Sequence, residues 1–266
     1  MSRCLKKSWM VIALLCFLAS VGTAFGDTLD EIVKRGELRV AVQTQGPPFS
    51  FVDKHGNRAG SSADFCRLMA KEMGVKIKFL DYDWDGLIPA LLSGKADMLA
   101  ADMTANLKRA LRVSFTEPFY YTGQVMFKRA GLPYTSVNEA NKESVTVAAI
   151  LGSTSATTAK RHLPAAKLKT YKGGGTMVMN AVVSGHADVG ICDESSVYAM
   201  AAQYPEGSIE VVPGKLSREP LAFAVRPDDR HLLQWINLFF DWVKEDGRYD
   251  ENIEYWVHSV DWKKDH

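Results

Sequence analysis

The chain has 266 residues, 47% hydrophobic and 24% charged, with no low-complexity tract: an ordinary globular composition, long enough for one large domain or two lobes. Its formal net charge is +1, but Arg3, Lys6 and Lys7 fall in a first stretch of 26 residues that holds no acid. Without that stretch 29 basic groups face 31 acidic ones, a balance of about −2 that argues against a nucleic-acid surface.

In chain order, residues 1–26 read as an export signal. Arg3, Lys6 and Lys7 form a basic start, Trp9 to Leu18 an apolar core, and Ala24 and Gly26 are the small residues before a cut at Asp27. The apolar run is nearer signal length than the ~20 residues a membrane span needs. Cys16 is preceded by Leu15, where a lipoprotein signal would place a small residue. Cleavage leaves Cys66 and Cys192, which are expected to be free buried thiols in different lobes. No Cys/His spacing suggests a metal, and no cofactor is expected.

Leu38 to Val42 reads as a strand ending in the turn Gln45-Gly46-Pro47-Pro48; Phe49 and Phe51 resume an extended piece, and Asp53 to Asn57 is a hairpin turn. Phe65, Leu68, Met69 and Met73 recur at helical spacing and Gly74 closes that helix. Val75 to Leu80 is a strand, Gly86 to Leu92 a helix, and Met98 to Ala101 a strand that stops at Asp102. Alternating strands and helices predict a parallel sheet covered on both faces, with ligands beyond the carboxyl ends of its strands.

The second half repeats the plan. Strands are expected at Val145 to Ile150, Lys167 to Tyr171 and Val189 to Cys192. Helices are expected from Ser155 to about His162 and from Met177 to Ser184, the latter capped by Thr176 after the loop Gly173-Gly174-Gly175. That loop lacks the Gly-Lys-Ser/Thr ending of a phosphate loop and reads as a connector. Thr122 to Lys128 and Pro220 to Val225 are extended segments joining two lobes, and Leu232 to Val257 returns to the first. The expected division is 27–124 for the first part of lobe 1, 125–219 for lobe 2 and 220–266 for the return.

The densest chemical stretch is Ala96 to Arg109. Thr104, the helix start at Asn106 and Arg109 gather a hydroxyl, backbone N–H groups and a guanidinium, a set suited to a carboxylate. A surface helix start with a solvated Arg is the competing reading of the same residues.

At this point the chain resembles the periplasmic solute-binding proteins for polar amino acids, the receptors of ABC importers. The resemblance rests on Leu38–Val42 with Pro47-Pro48-Phe49, on Trp84-Asp85-Gly86-Leu87 with Ser93-Gly94-Lys95-Ala96-Asp97, on Phe115-Thr116-Glu117-Pro118-Phe119-Tyr120, and on Gly185-His186-Ala187-Asp188 followed by Asp193. It implies an α/β fold of two lobes (type II), with two parallel-rich sheets flanked by helices, joined by two crossover strands and closing on the ligand by a hinge. It implies ligand contacts at Arg109 and Thr104 for a carboxylate, at Ser153 and Thr154 for further donors, at Asp193 for an ammonium and at Trp84 for the side chain. Gln43, Asp102 and Met103 complete the expected binding set. The partners implied are a small amino acid or related zwitterion and a membrane ABC permease, for a periplasmic monomer with no catalytic residue.

Four positions depart from the family pattern: Gly46 stands where an aromatic is usual, Gln43 where Asp is frequent, Ser61-Ser62 where Phe-Asp is usual, and Asp102 where Gly or Ser is usual. A wider or more polar pocket is expected, and Asp102 suggests a basic ligand or a simple pairing with Lys108 or Arg109. Two other functions share the scaffold: a cyclohexadienyl-dehydratase-like enzyme using Asp102 or the Asp193-Glu194 pair as acid, and a ligand sensor that signals through a separate membrane partner.

Overall fold

The computed structural model describes residues 27–259 and 261–266. The expected export signal lies outside them. The first helix, α1 (Thr28–Arg35), is capped by Asp27, whose carboxylate accepts from the Leu29 amide at 3.0 Å, and closes at Gly36 with φ 70°. Strand β1 (Glu37–Gln43) leads into a small hairpin sheet of β2 (Gln45–Gly46), β3 (Ser50–Val52) and β4 (Arg58–Ala59). Helix α2 (Ser61–Glu72), β5 (Lys76–Tyr82), a short 3₁₀ turn at Trp84–Gly86, α3 (Leu87–Leu92) and β6 (Met98–Thr104) follow. Then come α4 (Leu107–Ala110), β7 (Ser114–Phe115), β8 (Tyr120–Thr122) and β9 (Gln124–Arg129).

The second half comprises α5 (Val137–Ala140), β10 (Thr146–Ile150), α6 (Thr154–His162), β11 (Lys167–Tyr171), α7 (Gly175–Val183), β12 (Val189–Asp193), α8 (Glu194–Ala201) and β13 (Ile209–Val211). The chain returns through β14 (Glu219–Val225), α9 (Arg230–Glu245), α10 (Arg248–Ile253), a π turn at Glu254–His258 and α11 (Trp262–Asp265). No helix among the described residues is long and apolar enough to cross a membrane.

The strands form two main sheets, ordered β5-β1-β6-β14-β7 with β8 paired to β14, and β11-β10-β12-β9-β13. In each, the strands linked by helices run parallel, β5 and β6 beside β1 and β11 and β12 beside β10. The strands that carry the chain between lobes pair antiparallel, β14 on β6 and β9 on β12. Both sheets are therefore mixed, since the long crossing segments add strands of opposite direction to a βαβ core. The two crossings lie side by side. Leu216 N donates to Gln124 O at 2.8 Å, and Gln124 N donates to the Ser217 hydroxyl at 3.2 Å. A Cβ on Gly123 would stand 2.6 Å from Ser217 O, so only glycine lets the two strands approach this closely.

The first lobe's core holds an aromatic cluster. Phe119 packs edge-on to Phe49 and Phe223, with centroids at 5.9 and 5.1 Å, and stacks on Phe240 at 6.0 Å. Phe119 is 2% exposed, so Phe119→Ala is expected to cost about 3–5 kcal/mol in urea unfolding by loss of contacts and creation of a cavity. A loss under about 1 kcal/mol would show that the cluster is not a close-packed core. At the other end of the same sheet Asp97, 1% exposed, pairs with Arg35 at 2.5 Å and Arg39 at 2.7 Å and accepts from the Arg39 amide, fixing α1 and β1 to the start of β6. The second lobe has its own apolar core around Val178, Val182, Phe127 and Met200. Cys66 and Cys192 are free and buried, as expected.

Candidate functional site

The lobes meet at a narrow cleft, about 390 Å³ when its opening to solvent is counted. Gln43, Trp84, Asp102 and Thr104 line it from the first lobe, and Ser153, Thr154 and Asp193 from the second. All come from the carboxyl ends of strands or the starts of helices, where a parallel sheet exposes unpaired backbone groups.

Strand β6 does not stop at Asp102, as the sequence suggests, but runs to Thr104. Asp102 has φ 46°, a left-handed conformation for a non-glycine residue. Facing it, the register of β14 breaks: Ala222 pairs with Met103 and Ala224 with Leu99. The excess residues of β6 form a bulge that turns the Asp102 carboxylate into the cleft. A left-handed position explains why glycine is usual here and why Asp, which tolerates that region better than most residues, can replace it. Met103 is a correction. It is 2% exposed and packs among Leu87, Leu91 and Leu99, because neighbouring side chains on a strand face opposite ways.

At the mouth, Asn106 caps α4 by accepting from the Arg109 amide at 2.9 Å. This places the Arg109 guanidinium where its Nη1 donates to Thr104 O at 2.9 Å, with its charge 5.2 Å from the centre of the Trp84 ring. Arg109 borders a wider opening at the rim, and Ser153 and Thr154 border both that opening and the inner cavity. Trp84 packs against the cores of both lobes, so it joins them as well as walling the cleft.

Ser153 caps α6. Its hydroxyl accepts from the Ala156 amide at 3.2 Å and donates to Ile150 O at 2.7 Å. The hydroxyl is thus committed to the helix, and the next two residues, Thr154 and Ser155, present the amides of the first turn. The Thr154 hydroxyl lies 3.4 Å from that of Thr104, across the cleft. Arg109, Thr104, Thr154 and a helix start form a donor-rich end suited to an anion.

Acceptors crowd the same space, with Glu219 bordering the opening beside Arg109. Asp193 lies at the start of α8 but does not cap it; its Oδ1 accepts from Gln124 Nε2 at 2.7 Å. Gln124 is fully buried and was not singled out from the sequence, where a lone Gln at the start of a crossing strand gives no signal. Glu219, on the other crossing and 7% exposed, was also missed; the Ser217 hydroxyl donates to it at 2.6 Å. Burial, then the Asp193 charge, pushes Asp102 well above the usual carboxylate range against the pull of Arg109. Burial, then Glu219, pushes Asp193 up to about 7, again opposed by Arg109. Burial lowers the Arg109 pKa, but Glu219, Asp193 and Asp102 all counter it, and a guanidinium stays charged. Three carboxyl groups therefore surround one cation. Asp102 Oδ1, Gln43 Oε1 and Gln124 Oε1 are buried with no hydrogen-bond donor. Buried acceptors left unpaired are costly, and those of Asp102 and Gln43 line the cleft, where a donor group of a ligand could meet them.

Gln43 and Gly46 belong together. The Gln43 Nε2 donates to Gln45 O at 3.3 Å, and a Cβ on Gly46 would stand only 2.7 Å from that Nε2. The amide of Gln43 thus fills the space beside this turn that a side chain at position 46 would enter. Ser61 and Ser62 lie behind the hairpin at the start of α2, with Ser61 donating to Asn252, and are not among the residues lining the cleft. The loop 173–175 is more than the connector expected. α7 begins at Gly175 with Gly174 at the cap position, not Thr176, and Gly174 abuts Gln45 of the other lobe.

The model of the bacterial extracellular solute-binding proteins, family 3, matches residues 38–259. A structure of an ABC-transporter binding component from Wolinella succinogenes, complexed with lysine, is 38% identical, covers 86% of this chain and 99% of that one, and superposes with a TM-score of 0.81. An ancestral amino-acid-binding protein described as a precursor of cyclohexadienyl dehydratase is 40% identical over 86% of this chain and 99% of its own, with a TM-score of 0.80. An ABC-transporter glutamine-binding protein from Bacillus subtilis is 27% identical over 87% of this chain and 85% of its own length. With its sheets, crossings and cleft in that arrangement, the chain belongs to the bacterial extracellular solute-binding proteins, family 3.

Proposed function

We propose that this receptor takes a cationic amino acid, lysine or arginine in class, and passes it to a membrane ABC permease. The observation that carries the reading is the excess of buried acceptors: Asp102, Asp193 and Glu219 against Arg109, with unpaired oxygens on Asp102, Gln43 and Gln124. A zwitterion brings one ammonium; a cationic amino acid brings a second positive group to meet the second carboxylate. Its α-carboxylate would meet Arg109, Thr104 and the start of α6 at Thr154, its α-ammonium Asp193, and its side chain Asp102 and Gln43 beside Trp84. The lysine complex of the Wolinella succinogenes relative supports the same ligand class.

The lobes assigned here are 27–124 with 220–266, and 125–219, with the hinge at the two crossings. The chain acts as a periplasmic monomer released from an export signal. Binding rather than turnover is the proposal. An acid raised in pKa in a closed cleft could protonate a leaving hydroxyl, and the ancestral relative is described as a precursor of a dehydratase. However, a di-acid substrate would bring two carboxylates to a site that holds one cation, Arg109, among three carboxyl groups.

A thermal-shift panel of the purified chain tests this. Lysine or arginine at about 100 times its dissociation constant should stabilise the fold by about 2.7 kcal/mol, while glutamate and a prephenate-like acid leave it unmoved. A shift with the prephenate-like acid, accompanied by its consumption, would replace the receptor by the enzyme. In the same panel Asp102→Gly is expected to weaken lysine and arginine by roughly tenfold to a hundredfold, the worth of a charged hydrogen bond, with little effect on glutamine. Equal losses for glutamine and lysine would remove Asp102 from selectivity.

A further inference from the structure

Gly174 lies at the tip of the second lobe's glycine loop, and its neighbours belong to the first lobe. A Cβ built on it would stand 2.3 Å from Gln45 O, 2.8 Å from Gln43 Nε2 and 3.0 Å from the Gln45 carbonyl carbon. Two of those atoms are backbone and cannot rotate away. Gly174 itself has φ −119° and ψ −169°, extended backbone that any residue adopts. Glycine is therefore not needed here for the conformation of the loop. It is needed only when the loop meets the hairpin turn of the other lobe.

The far side of the contact is the Gln43–Gly46 turn. Gln43 Nε2 donates to the same Gln45 carbonyl that Gly174 touches, and its Oε1 is one of the unpaired acceptors of the cleft. Behind Gly174, a Cβ on Gly175 would meet Met200 at 3.1 Å and Cys192 Sγ at 3.4 Å, so the second lobe's core packs closely behind the loop. Backbone of one lobe thus rests on backbone of the other, with a packed core behind it and a ligand-facing side chain in front.

We propose that Gly174 is a positioning residue that gauges how far the cleft closes: the missing side chain lets the second lobe descend until Gln43 reaches the ligand. Any side chain at 174 stops closure short. The proposal rests on the reading of the chain as a closing receptor.

The test compares the wild-type chain and Gly174→Ala for lysine and arginine binding, ligand-free melting and ligand-induced compaction by X-ray scattering. The variant should melt at the wild-type temperature, since its backbone is unstrained. It should bind about tenfold to a hundredfold more weakly, the range for an extra methyl against fixed atoms, with most of the change in the dissociation rate and a smaller compaction. Gly174→Val should lose more than Gly174→Ala, whereas Thr176→Ala on the same helix start should lose nothing. Hydrogen exchange of the wild-type chain gives a readout independent of any variant: residues 43–49 and 172–177 should gain protection together on ligand addition. If the wild-type chain binds and compacts but Gly174→Ala does so equally well, or if those segments gain no protection, the gauge is wrong and the receptor stands. If the wild-type chain binds no cationic amino acid, the receptor's proposed ligand class fails first.

Discussion

Arg109→Ala should abolish measurable binding of lysine or arginine at micromolar concentration, a loss of roughly a hundredfold or more by calorimetric titration. The guanidinium is held by Thr104 O at 2.9 Å and lies over Trp84, so it is fixed before any ligand arrives. Truncating one partner of a buried charged pair costs about 2–5 kcal/mol, because the other charge is left unpaired. Removing Arg109 also removes the positive charge that restrains Asp102 and Asp193 from protonation. Arg109→Lys should recover only part of the loss, since an ammonium cannot make two parallel bonds to a carboxylate. Full affinity in Arg109→Ala would place the carboxylate elsewhere.

The affinity for a cationic amino acid should rise with pH through about 7, approaching a factor of ten per pH unit. Asp193 is pushed up to about 7 by burial and Glu219, and Asp102 is pushed well above the usual carboxylate range by burial and Asp193. Without a bound cation Asp193 is partly protonated near pH 7; a bound ammonium favours the ionised forms of both acids and drives protons off. Calorimetry in buffers of differing ionisation enthalpy should therefore register proton release at pH 7. The stability of the unliganded chain has the opposite sign. An acid whose folded pKa lies above its ordinary value of 3.8 binds more protons folded than unfolded. Its contribution is therefore lost as pH rises from about 4 through 7. Asp193→Asn should flatten both dependences and weaken binding; an unchanged pH profile in that variant would mean that another group titrates.

Much of the fold is legible in the chain because its elements are short and punctuated. Gly36, Gly74 and Gly185 end their helices or turns with positive φ, and the buried strands from Val40 to Val42 and Val189 to Cys192 are apolar runs of the right length. The alternation of strand and helix predicts the parallel part of each sheet, but not which later segment will pair against its edge. That pairing joins Leu221 to Thr104 and Cys192 to Val125 across long stretches of sequence, and no local pattern carries it. The site divides the same way. Arg109, Thr104, Thr154 and Asp193 stand in motifs whose local structure delivers them to the cleft. Gln124 and Glu219 come near it only because the two crossings lie side by side, and Met103, between two cleft residues on a strand whose faces alternate, turns into the core. Gly174 shows the limit most plainly: nothing in Gly173-Gly174-Gly175 says that its neighbour will be a carbonyl of the other lobe.

The most direct measurement of the central claim is a pair of titrations at pH 8, one with arginine and one with citrulline, which has nearly the same shape but no side-chain charge. The excess of buried carboxyl groups over Arg109 predicts one-to-one binding of arginine and an affinity for citrulline weaker by tenfold or more, the worth of a charged over a neutral hydrogen bond. Equal affinities, or a preference for citrulline, would mean that Asp102 and Asp193 do not select a cation, and the proposed ligand class would fall.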